Sequence, residues 1–235
     1  MQLKRSVINK SIDIARHVIE HFGVCLPEFS GWSPEDWNRA GADYNEIRHC
    51  MLGWDVTDFG SNDFYNIGRV LFTLRNGRSG NPDYPKEYAE KLLIDPENQR
   101  APAHFHVSKR EDLICRGGGN ILVQLTKADA AGKRSPNDFT IQVDGCSVKM
   151  KPAGIVRLEP GQSICIPPGT IHQFWAEEGT GWKMDGVGYT ISTEVSSVCD
   201  DINDNIFIET AGIRFPEIEE DEARQYLLCN EYPVI

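Results

Sequence analysis

His104-Phe105-His106, followed by Glu111 and Gly117, is the segment that most restricts what this chain can become. Side chains two residues apart share one face of a β-strand but not one face of a helix. An extended 104–106 therefore aims both imidazoles at one point. A second segment, about 60 residues later, reads Gly161, then Pro167-Pro168-Gly169, then His172. The Pro-Pro-Gly turn can swing His172 back toward the first pair. Glu111 is expected on a neighbouring strand or past a bend. Three imidazoles and one carboxylate form a ligand set for a divalent ion. On a six-coordinate ion such as Mn²⁺ or Fe²⁺ they leave open positions where an oxygen-bearing substrate can react.

The surrounding pattern predicts a mainly β chain. Candidate strands cover 69–75, 88–94, 103–107, 120–127, 139–143, 147–151, 154–158, 163–166, 173–176 and 184–194. Turn sequences separate them, and Asp144-Gly145 is a two-residue hairpin signal. Many short strands at regular spacing point to a sandwich or jelly-roll barrel. The first 50 residues read differently. Val7, Ile8, Ile12, Ala15, Val18, Ile19 and Phe22 form a helical stripe that stops at Gly23. Ser33 and Asp36 can form a capping box around Pro34. We therefore expect a helical extension over 1–50 and a β-barrel with a C-terminal extension over 51–235, one structural domain in all. The acidic run 217–222 is expected to be a solvated surface.

A net charge of −11 argues against nucleic acid or an anionic membrane as the main partner. No apolar run is long enough to span a bilayer, and the N-terminus lacks the apolar core of a signal peptide. Seven scattered cysteines without a Cys-x-x-Cys pair suggest a reduced, cytoplasmic protein. Cys115, Cys146 and Cys165 are expected to be small core residues. His17, His21 and His49 lie in helix-like segments and are not expected to be ligands.

The spacing of the His, Glu, Gly and Pro residues resembles the two sequence motifs of the cupin superfamily. One departure is Ala176, four residues after His172, where cupins often carry Asn. Cupins host several chemistries, so this likeness implies a jelly-roll barrel and a metal rather than one reaction. An aldose–ketose isomerase, a metal-dependent dioxygenase and a non-catalytic sugar-binding cupin all remain open at this level. Stretches outside the motifs are similar to the D-lyxose isomerase family: Trp-Ser-Pro-Glu-Asp-Trp at 32–37, Tyr-Ala-Glu-Lys at 88–91, Glu-Val-Ser-Ser-Val-Cys-Asp-Asp at 194–201 and Arg-Phe-Pro-Glu-Ile-Glu-Glu-Asp-Glu at 214–222. The resemblance implies a homodimeric, Mn²⁺-dependent isomerase with His104, His106, Glu111 and His172 as ligands. Co²⁺, Fe²⁺ and Ni²⁺ are alternatives to Mn²⁺. The implied reaction is D-lyxose to D-xylulose, with weaker action on D-mannose and D-fructose.

Further residues are candidates for the chemistry. Lys91 interrupts an apolar run and can hold a substrate oxygen or stabilise an enediolate. Glu194 ends a strand whose alternate positions, Thr190 and Ser192, are polar, making it the first choice for the proton-transfer base. Glu111, if coordinated, could still shuttle a proton. Arg214 and Trp175 are candidate sugar contacts, and Phe105 should point away from the metal by strand parity. Asp200 and Asp201 are expected to cap a turn or line the pocket. A phosphosugar substrate would need a cationic pocket, to which Arg69, Lys91 and Arg214 are the available contributors.

Overall fold

A computed structural model describes residues 2–200, 203–208 and 212–234. Helices α1 (Arg5–His21), α2 (Pro34–Arg39) and α3 (Asn45–His49) come first. The strands follow: β1 (Gly53–Thr57), β2 (Arg69–Arg75), β3 (Tyr88–Pro96), β4 (His104–His106), β5 (Glu111–Gly117), β6 (Ile121–Lys127), β7 (Phe139–Val143), β8 (Cys146–Met150), β9 (Gly154–Leu158), β10 (Ser163–Ile166), β11 (Thr170–Ala176), β12 (Trp182–Met184), β13 (Val187–Ser197) and β14 (Asn205–Phe207). Among the described residues the larger sheet runs β1-β2-β3-β13-β5-β10-β7-β8, with β12 paired to β13. The smaller runs β14-β4-β11-β6-β9. The two antiparallel sheets face each other as the expected jelly roll.

Strand parity decides what each sheet buries. Leu71, Leu93, Leu113 and Cys115 of the larger sheet meet Ile121, Val123, Leu125 and Phe174 of the smaller one in the inter-sheet core. The opposite face of the larger sheet carries Trp54, Val56, Phe72, Leu92, Ile94 and Ile191, which pack against Ile8, Ile12, Ala15, Val18 and Ile19 of α1. Each fully buried isoleucine of that stripe contributes about 1.5–3 kcal/mol. The N-terminal helix is thus the cover of the larger sheet. Gly23 (φ +70°) ends it, with Gly23 N–H donating to Glu20 O and Val24 N–H to Ile19 O. The capping box of Ser33 and Asp36 forms as expected.

The C-terminal segment locks α1 in place. Arg5 is fully buried and donates to the carboxylates of Glu220 and Glu231. Asp221 accepts from the backbone N–H of Ser6 at 2.9 Å, capping a helix whose own N-cap, Lys4, offers no side-chain bond. The acidic run 217–222 is therefore exposed in part but also a clamp, because the first turn of α1 presents it with an arginine and free N–H groups.

Several strand expectations change. β1, β12 and β14 lie outside the expected strands, β5 is the neighbouring strand expected for Glu111 though its bounds were not, and β11 begins at Thr170, so His172 lies within a strand. β5 mixes Glu111, Asp112 and Arg116 with apolar residues, which hides its alternation of buried and exposed positions. Cys146 is exposed, not core, because it starts the edge strand β8 directly after the Asp144-Gly145 hairpin. Cys115 is buried and Cys165 partly so, and all seven cysteines are free thiols. No helix among the described residues is long and apolar enough to cross a membrane.

Candidate active site

The site lies between the sheets, where β4 and β11 of the smaller face β3, β5 and β13 of the larger. His104 is the direct cross-strand partner of His172, which brings their rings to 4.4 Å between centroids. His106 joins them from the same face of β4, and one nitrogen from each ring lies within 4.8 Å of the others. The Pro-Pro-Gly turn makes the meeting possible: Gly169 adopts φ +66° and its N–H donates to His106 O at 2.9 Å. The turn before β11 is thereby tied to the strand carrying the first two imidazoles. Phe105 points the other way, into a cluster with Ala103 and Ile171.

Hydrogen bonding fixes the tautomers. His104 Nδ1 lies 2.9 Å from Pro102 O, and His172 Nδ1 lies 2.9 Å from Thr170 O. A carbonyl only accepts, so each Nδ1 carries a proton, and in the neutral ring the lone pair then sits on Nε2. Burial, reinforced by the neighbouring imidazoles of His172 and His106, holds His104 well below the usual imidazole range. Burial, and then the Lys109 ammonium, lowers His106. Glu111, from the facing sheet, places Oε1 2.9 Å from His172 Nε2 and Oε2 3.3 Å from His106 Nε2. Those contacts lack hydrogen-bond alignment, so both Nε2 atoms are buried without a hydrogen-bond partner. Leaving such groups unsatisfied is costly. Converging imidazole nitrogens beside a carboxylate are the donor set a divalent cation takes, and the residues fit one.

The rest of the cavity is ionic. Lys109 Nζ lies 2.6 Å from Glu111 Oε2 and 2.8 Å from Glu194 Oε1, bridging the two carboxylates. Lys91 Nζ is 3.8 Å from the same Glu194 oxygen, since Lys91 and Glu194 are cross-strand partners on β3 and β13. Burial alone would raise both carboxyls. Together the neighbouring groups outweigh it, Lys109 foremost at both and Lys91 next at Glu194, and both are held below the usual carboxylate range. Arg214 lines the same cavity, bonded to Asp55 of β1.

The structure therefore gathers His104, His106, Glu111, His172, Lys91, Glu194 and Arg214 around one cavity. It does not bring Trp175 there. On β11 His172 and Phe174 face inward, so Trp175 faces out, buried under the Arg100 guanidinium at 3.8 Å. His17, His21 and His49 stay on the helices. Asp200 caps a turn through Asn203, as expected, and Asp201 lies outside the described residues. Two residues with clear roles escape sequence reasoning. Lys109 had only a slight signal, a position two residues before Glu111, since it sits in the turn ahead of β5. Asp204 had none. It accepts from Ser108 N–H, Ser108 Oγ and Lys109 N–H, and lies 3.7 Å from His106 Nδ1, fixing the turn that carries Lys109.

Comparison with known proteins now decides the family. A family model described as D-lyxose isomerase matches residues 3–232. The chain belongs to the D-lyxose isomerase family. It is 45% identical over 231 residues to a D-lyxose/D-mannose isomerase of Escherichia coli O157:H7, covering 98% of each chain. It is 43% identical over the same length to one from Serratia proteamaculans. Like its family, it is a sugar isomerase of mostly β architecture. Solved L-ribose isomerases share its cupin-type fold. That of Cellulomonas parahominis superposes with a TM-score of 0.59 at 16% identity, covering 92% of this chain and 98% of its own. That of Geodermatophilus obscurus gives 0.60 at 15%, covering 93% and 99%. Family membership favours the isomerase over the dioxygenase and the non-catalytic cupin left open above.

Proposed function

We propose that this enzyme interconverts D-lyxose and D-xylulose, and more weakly D-mannose and D-fructose, with Mn²⁺ as its preferred ion. The observation that carries the reading is the pair of buried carboxylates bridged by Lys109. Glu111 is turned to the imidazoles, and Glu194 stands with Lys91 on the opposite wall. One carboxylate can serve an ion while the other moves a proton. The names of the bacterial relatives, D-lyxose/D-mannose isomerase, supply the substrate class.

A divalent ion held by His104, His106, Glu111 and His172 would supply Lewis-acid polarisation of the substrate carbonyl. Glu194, kept ionised by Lys109 and Lys91, accepts the proton from the carbon beside that carbonyl and returns it to the adjacent carbon. Lys91 stands where it can stabilise an oxygen that becomes negative in the enediol step. Arg69, Lys91, Lys109 and Arg214 each lie beside a carboxylate: Asp95, Glu194, Glu111 with Glu194, and Asp55. That pairing suits a neutral sugar, since each side-chain cation of the cavity is matched by a carboxylate. Free thiols suit a reducing cytoplasm, and the family resemblance favours a homodimer, which light scattering can check.

The test is anaerobic conversion of D-lyxose by metal-stripped protein reloaded with Mn²⁺. D-xylulose should form and should stop forming when a chelator is added. Absence of conversion with the metal shown to be bound would overturn the substrate assignment. Deuterium from solvent appearing in the product would support the enediol route over a hydride shift.

A further inference from the structure

Arg69 differs from the other cations of the cavity. Lys109 lies between two carboxylates, Lys91 beside Glu194, and Arg214 on Asp55. Arg69 gives Nη1 to Asp95 of β3, and its guanidinium carbon sits 4.2 Å from the centroid of the Phe174 ring. These two contacts hold the plane of the group. Its Nη2, in a side chain only 4% exposed, has no hydrogen-bond partner. Thr190 Oγ1 is also without a partner but lies off the cavity, and Asn205 Oδ1 lies on it but only accepts, whereas the Arg69 nitrogen donates.

Strand register places this donor relative to the reaction. Lys91 and Asp95 are four residues apart on β3, a rise of about 13 Å. Leu71 and Leu93, cross-strand partners, lie between them on the same cavity. The Lys91–Glu194 pair marks one end of this floor and the Arg69–Asp95 pair the other, and the long side chains of Lys91 and Arg69 close much of the gap. A sugar with its first two carbons beside Glu194 extends over Leu71, Leu93 and Phe174 toward Arg69. Because Asp95 balances the charge of Arg69, its free N–H edge suits a neutral hydroxyl oxygen rather than a phosphate.

We propose that Arg69 is a substrate-binding residue that donates from Nη2 to the terminal hydroxyl oxygen of the sugar. The proposal rests on the isomerase reading above and adds the group that recognises the far end of the substrate. The test compares D-lyxose with 5-deoxy-D-lyxose, which lacks that hydroxyl, in the Mn²⁺-loaded wild type and in Arg69→Lys. Lysine keeps the pair with Asp95 but loses the second nitrogen. In the wild type the deoxy sugar should have a KM about tenfold higher. In Arg69→Lys the KM for D-lyxose should rise about tenfold, with kcat and metal content changed less than about threefold, and the two sugars should become equivalent. If Arg69→Lys still discriminates by the wild-type factor, or loses both sugars equally, the guanidinium is structural and the proposal is overturned. Should Arg69→Lys fail to fold, the double variant Arg69→Leu with Asp95→Leu removes the pair together and gives the same comparison. A wild type that does not convert D-lyxose at all would overturn the substrate reading, and this proposal with it.

Discussion

Arg5 and Glu111 are both buried charges where distant parts of the chain meet, but their surroundings are completed differently. Arg5 donates from Nε, Nη1 and Nη2 to Glu220 and Glu231, and no nitrogen of it is left without a partner. Around Glu111 the carboxylate is engaged, yet His106 Nε2, His172 Nε2 and, further along, Arg69 Nη2 have no hydrogen-bond partner. A network that satisfies all its members rigidifies a fold. One that leaves donor and acceptor atoms open within a cavity has capacity for something the chain does not itself supply. The contrast separates a clamp from a binding site with the same kinds of side chain.

The sharpest way to break the comparison is to remove an open atom. His106→Ala should lose most of the bound metal, read by elemental analysis, and with it at least about a thousandfold in kcat/KM for D-lyxose. Retained metal and activity would remove His106 from the ligand set. Glu194→Gln should keep its metal but lose about a hundred- to ten-thousandfold in kcat. Full turnover would return Glu194 to an electrostatic role. On the clamp side, Arg5→Met should lower the free energy of unfolding by about 3 kcal/mol in denaturant titrations, leaving kcat/KM within about twofold. A large loss of activity without loss of stability would show that the clamp is not merely structural.

The smallest expected effect is a pH dependence. The bond from Arg5, with help from Arg224, pushes the Glu220 carboxyl down to about 2. Its unfolded value is about 4.3. A depressed folded value means the pairing stabilises above about pH 4.3 and is lost as the pH falls toward 2. Glu220 is 40% exposed, so solvent screening keeps this contribution small. Wild-type stability should fall slightly more than that of Arg5→Met across this window, and identical acid-unfolding slopes would remove the argument.

Much of the site was legible because it depends on short-range geometry. His104 and His106 share a face by strand period, and Gly169 permits the turn that returns His172. The polar alternation of Thr190, Ser192 and Glu194 correctly aimed Glu194 inward, and the apolar flank of Lys91 did the same there. Trp175 was misplaced although the same parity applied to it, since counting from His172 puts it on the opposite face. Lys109 was missed because it stands in the turn ahead of β5, where no strand period marks it. Asp204 was missed because the irregular segment that holds it has no period to read.

The sequence by itself determined the local devices: the inward imidazole pair, the helical stripe of α1, the capping box at Ser33 and the Asp144-Gly145 hairpin. Each is set by backbone geometry over a few residues. Only the tertiary structure decided that Glu111 crosses from the other sheet to reach His106 and His172, that Lys109 joins Glu111 to Glu194, and that an acidic C-terminal run closes on Arg5. Those contacts join residues up to 215 positions apart, and their partners are chosen by sheet order and register, which no local period encodes.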